Sequence, residues 1–187
     1  MTSNSVEDEA RRLPREPTSS WIVGLVIAAA ALWLGVLIWQ IGALPQRVPA
    51  QFEFGGPPTS WTSKTSALVT FIVTATVLTL PALLISPLTL RAPGAINAPN
   101  QRWWVARPLR LRRFERLLRE DLLLLASAAL TFLAIGQAGI TVAATSPEGE
   151  LPLALMAAML APAVALIVVI ARMCGAGGRY GEQPELS

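Results

Sequence analysis

The chain has 187 residues, is 53% apolar and only 14% charged, and its mean hydropathy is +0.52. A water-soluble domain is about 45–50% apolar even with glycine counted, so this composition excludes one and points to an integral membrane protein. The net charge of +3 and pI near 10.0 would suit nucleic acid, but 13 of the 15 basic residues fall beside apolar stretches, where anionic lipid is the nearer partner. With no histidine and the single Cys174, disulfide frameworks and His-based metal or acid–base chemistry are excluded too.

Residues 1–20 mix Glu7, Asp8, Glu9 and Glu16 with Arg11, Arg12 and Arg15 and show no apolar periodicity, which predicts a disordered tail. Residues 21–43 then run 23 residues without a charge. As a helix this is about 34 Å long, enough for a hydrocarbon core of about 30 Å. It is also longer than the apolar core of a cleaved signal peptide, about 7–15 residues, so an anchoring helix is expected.

Residues 44–65 hold four prolines and the pair Gly55-Gly56, which end the helix. The alternation around Val48, Phe52 and Phe54 allows a short strand and turn, a loop of fixed shape whose aromatic rings pack down on the helix ends. Residues 66–90 form the second span, interrupted by Pro81 and Pro87. Ser66, Thr70 and Thr74 share one of its faces, placed to bond a neighbouring helix or their own backbone.

The segment 91–119 carries eight arginines in 29 residues, the densest charge in the chain. Its first half, with Pro93, Gly94, Asn97, Pro99 and Asn100, reads as an irregular loop, and Trp103-Trp104 are expected at headgroup level. From Pro108 to Glu120 the pattern is an amphipathic helix. Leu111, Phe114, Leu117 and Leu118 occupy one sector of about 120°, and Arg112, Arg113, Arg116 and Arg119 another. Such a helix is expected to lie on the membrane surface with those four arginines on anionic lipid head groups. Glu115 precedes Arg119 by four residues and supports the helix as an ion pair.

Spans three and four are expected at 122–144 and 151–173, separated by a short loop without a basic residue. Ala134 and Ala138 in the third, and Ala157, Ala161 and Ala165 in the fourth, are spaced as packing seams. Residues 174–187 read as a second disordered tail. The fold class expected is therefore an all-α integral membrane protein, four transmembrane helices arranged as two hairpins joined by a basic hub. Lysine and arginine number 13 in the tails and hub against two in the loops 44–65 and 145–150, which places both termini and the hub in the cytoplasm.

Chemistry is sparse. Apart from Arg172 at the very end of the fourth, the four spans contain no Asp, Glu, Lys or Arg; Gln40 and Gln137 are the strongest polar groups inside them. Coupled transport normally needs intramembrane ionisable groups. Phosphate-loop, zinc and nucleophile motifs are absent, so no catalytic, cofactor or metal residues are assigned.

Leu44-Pro45-Gln46-Arg47-Val48-Pro49-Ala50-Gln51-Phe52, then Gly56-Pro57 and Trp61 with Lys64, resembles the bacterial membrane module of unknown function at the start of SdpI-type immunity proteins. Asn97, Pro99 and Asn100 with Trp104 and Arg107 look like the stretch that follows the second span there. The resemblance covers about residues 38–115 and departs at Gln51, where the family has histidine. It implies a multi-pass protein of the bacterial plasma membrane, one branch of which protects its producer from a peptide toxin. Two function classes follow. One is a non-catalytic interaction protein using the loop 44–65 and the hub, with a peptide or protein as partner; the other is a small transporter or permease subunit.

Overall fold

The structure is a computed structural model that describes residues 3–52, 58–95, 97–147, 149–175 and 178–186. Phe54, Gly56 and Pro57 of the loop motif lie outside the described residues, as does Glu148. The elements in order are α1 (Ser3–Arg12), α2 (Ser20–Ala43), β1 (Arg47–Phe52), β2 (Pro58–Ser63), α3 (Lys64–Leu88), α4 (Gln101–Trp104), α5 (Pro108–Thr145), α6 (Leu153–Ala158) and α7 (Leu160–Met173). Four helices, with α6 and α7 acting as one unit over Leu153–Met173, are long and apolar enough to cross a membrane.

The centre of the fold is α5. Its most apolar window is 39% buried against 11% in each of the other three spanning helices, so α2, α3 and α7 pack around it. The sequence permits this because Ala126, Ser127, Ala128, Ala134, Gly139, Thr141 and Ala143 are buried on α5, and small side chains let several backbones approach one helix. The bulky residues of its neighbours point outward instead: Ile38, Leu83 and Ile167 are among the most exposed in the chain, a surface suited to hydrocarbon. The expected hairpin of the first two spans is thus a different object, since α2 and α3 each pack on α5 far more extensively than on each other.

Three boundaries differ from expectation for local reasons. The surface helix and the third span are one uninterrupted helix of 38 residues. At 1.5 Å per residue it is about 57 Å long, more than is needed to cross a hydrocarbon core of about 30 Å. The fourth span is broken at Met159, because Pro162 has no N–H for the carbonyl of Ala158 and its ring crowds that position. By contrast α3 runs through Pro81 and Pro87 as one helix. The seam at Ala157, Ala161 and Ala165 is exposed, whereas Ala134 is buried and Ala138 half-buried.

The fold is mostly helical rather than all-α, since β1 and β2 form a two-stranded antiparallel sheet. Val48 faces Thr62 and Pro49 faces Trp61, and irregularities flank Gln51, where a proline-containing strand can bulge. Val48 and Leu44 sink between α3 and α5 against Ala67, Phe71, Ile140 and Ala144. This hairpin end also holds Gly149, for a Cβ placed on it would lie 3.6 Å from Pro58. Residues 3–19 and 178–186 gather with residues 97–121 at the opposite end of the bundle, the hub end.

Between the two ends, α2 and α5 share one polar contact. Gln40 donates through Nε2 to the Gln137 backbone carbonyl at 3.0 Å and to the Thr141 hydroxyl at 2.9 Å, while the Gln137 side-chain amide is buried without a partner among the described residues. Hydrogen bonds across membrane helices average about 0.6 kcal/mol. Gln40→Leu is therefore expected to lower stability by about 1 kcal/mol. Gln137→Leu keeps the accepting carbonyl, removes an unpaired amide and is expected to be neutral or stabilising. Thermal unfolding in detergent compares the two; equal losses would contradict this assignment.

Candidate functional site

The hub end is assembled from the first four turns of α5. Its apolar sector does not rest on a membrane surface: Leu111, Phe114 and Leu117 are buried with Ala10 of α1, Leu90, Trp104 and Tyr180 in a small core of their own. Trp104 is fully buried there, its indole N–H donating to the Tyr180 carbonyl at 3.0 Å, with ring centroids 5.5 Å from Phe114 and 4.8 Å from Trp103. The interfacial anchor expected of Trp103-Trp104 is thus replaced by a packing anchor. Trp103 is half-buried, with the Arg110 guanidinium 4.1 Å over its ring. The polypeptide turns into α4 at Asn100, whose φ of 56° is left-handed, a conformation that asparagine adopts more readily than bulkier residues.

The four arginines expected on lipid turn toward the chain's own N-terminal segment. Arg112 donates to the carbonyls of Leu13 and Pro14, and Arg113 and Arg116 hold the Glu16 carboxylate at 2.9 and 3.1 Å. Arg119, nearly buried, reaches Thr18 at 3.0 Å, the Glu16 carbonyl and Glu115 at 2.9 Å. Residues 3–19 therefore form a helix and a strap tied to α5, not a disordered tail. The physical reason is that carbonyl and carboxylate acceptors at fixed positions give charge-assisted bonds to guanidinium.

The carboxylates Glu120 and Asp121 close the cluster. Glu120 accepts from the backbone N–H and hydroxyl of Ser19 at 3.0 and 2.8 Å, and from Arg179 at 3.0 Å. Asp121, fully buried, accepts from Tyr180 at 2.7 Å and Arg179 at 3.1 Å, with Arg172 of α7 3.1 Å from its other oxygen. Burial, and then the bond to Asp121, push the Tyr180 phenol above its ordinary range, so it remains a proton donor. The second tail is thereby folded as well, with Arg110 donating to the Leu186 carbonyl at 3.0 Å. One patch of α5 thus binds both chain ends and α7.

At the hairpin end, Phe52 packs down as expected. With Ala50 it roofs an apolar cavity of about 190 Å³ walled by Gly136, Gly139, Met156 and Met159 of α5 and the α6–α7 region. Of the loop motif, Leu44 and Pro49 are buried and Pro45 half-buried, Gln51 and Trp61 are exposed, and Lys64 opens α3. In the other motif Asn97 and Pro99 are exposed, and Arg107 is the extended residue that precedes Pro108 of α5. The two motifs stand at opposite ends of the bundle. Ser66 bonds Ser63 at the start of α3, Thr70 is exposed and Thr74 half-buried, and Gln137 is buried beside Gln40.

Sequence reading missed Glu16, Ser19, Glu120, Asp121, Arg172, Arg179 and Tyr180. A usable signal was present in the spacing of Arg116 and Glu120, four residues apart like Glu115 and Arg119. No family model, curated protein or solved structure matches the chain.

Proposed function

We propose that the chain is a non-catalytic, multi-pass protein of the bacterial plasma membrane, of the SdpI-related type, with the hub and both termini in the cytoplasm. On this reading the β1–β2 hairpin binds an apolar group of a peptide or protein outside the cell, and α5 links that event to the hub. The observation that carries it is the methionine-walled cavity under Phe52, joined by one unbroken helix to the ion-pair cluster. Methionine side chains adapt to irregular apolar partners, and about 190 Å³ suits one large side chain better than a whole drug-sized molecule, whose sites run to about 300–1,000 Å³. The separate burial of Gln137 and exposure of Thr70 give a transport path no polar lining on these groups.

A photo-crosslinking residue in place of Phe52, in intact cells, tests the proposal. A peptide or protein adduct is expected, and Met156→Trp, which fills the cavity, is expected to abolish it. Adducts to lipid alone, or a protein adduct indifferent to Met156→Trp, would overturn the binding role. In the same cells a cysteine at Glu150 should react with a membrane-impermeant thiol reagent and one at Arg102 should not; the reverse would overturn the orientation.

A further inference from the structure

We infer that the cleft between the N-terminal strap, α3 and α5 is a binding site for an anionic phospholipid of the hub-side leaflet, with its phosphate at Arg15 and an acyl chain along Leu83. The inference rests on the membrane placement of the helices and is independent of any ligand at the hairpin.

The cleft encloses about 340 Å³ and changes character along its depth. Arg15, Thr18 and Arg119 line its polar half; Ala82, Leu83 and Leu123 line the other. The chain places this change at the edge of the spans, since α2 starts at Ser20, α3 ends at Leu88, and α5 has no charged residue between Asp121 and Thr145. Leu83 is 64% exposed on the outer surface of α3, so the apolar half opens toward hydrocarbon. A soluble phosphate would use only the polar half. A lipid whose head sits at that level uses both, which decides the source.

Charge is available there although most hub arginines are engaged. Glu16 also lines the cleft, but its carboxylate is held by Arg113 and Arg116. Glu115 lies behind Ser86 and is held by Arg119. Arg15, with its side chain 64% exposed, has among the described residues one carboxylate neighbour, Glu115 at 3.9 Å, beyond hydrogen-bond distance. Its guanidinium can offer a paired set of N–H groups to a phosphate, and the fixed, nearly buried Arg119 adds positive potential behind it.

Native mass spectrometry of the full chain, titrated in detergent with phosphatidylglycerol or phosphatidylcholine, tests the site. Phosphatidylglycerol is expected to bind about fivefold more tightly, the contribution of one well-placed basic side chain. Arg15→Ala is expected to remove that preference, and Arg107→Ala, an exposed arginine outside the cleft, to keep it. Leu83→Trp, which narrows the acyl wall from a surface position, should weaken both lipids alike. Equal binding of the two lipids, equal loss in Arg107→Ala, no effect of Leu83→Trp, or displacement by millimolar inorganic phosphate would each overturn the assignment.

Discussion

Asp121→Ala is expected to lower the stability of the folded chain by about 3–5 kcal/mol, the cost of breaking a buried ion pair by removing one partner. The carboxylate is fully buried and serves Arg172, Arg179 and Tyr180 together, so its loss takes one counter-charge from Arg179 and removes the carboxylate that Arg172 and Tyr180 face. Glu120 can retain Arg179 but has no contact with Arg172. Two measurements check this. The midpoint of denaturant unfolding in detergent should fall strongly, while the exposed Glu150→Ala leaves it unchanged. Trypsin should also cut after Arg179 in the folded variant, because the tail loses its anchor. If Asp121→Ala unfolds at the same denaturant concentration as Glu150→Ala, the cluster does not hold the termini.

Trp104→Ala is the second large effect expected, about 3–5 kcal/mol for deleting a buried tryptophan. The ring fills the space between Trp103, Phe114 and Tyr180, and its N–H satisfies a buried carbonyl, so alanine leaves both a cavity and an unpaired acceptor. Trp21→Ala supplies the comparison, being 60% exposed at the start of α2, and should cost little. Equal losses in the two variants would restore the interfacial role for Trp104 and remove the hub core.

The spans were legible in the sequence because hydropathy over about 20 residues is a local property. So was the first strand of the loop, from the alternation around Val48 and Phe52. Residues 3–19 and 178–186 were not, because their order is borrowed. Val6 and Ala10 alone make too little apolar surface for a core, and Glu16, Arg179 and Tyr180 acquire fixed positions only from partners about 60–100 residues away. The arginine sector of α5 was read in the right place and given to lipid, since periodicity shows which side chains share a face and not what covers it. The break at Met159 was readable from Pro162, whereas α3 carries Pro81 and Pro87 without one, so proline alone does not decide.

The ion-pair cluster also sets an order of assembly. Chains are made from the N-terminus, and Glu120 and Asp121 are synthesised about 50–60 residues before Arg172 and Arg179. Until α7 and the residues after it have delivered those two arginines, the carboxylate pair at the hub end stands with Ser19 and Arg116 as its only contacts among those described. Closure of the hub consequently waits for the C-terminal residues. A chain that stops before Arg172 leaves a charged notch in a place where the finished protein is sealed.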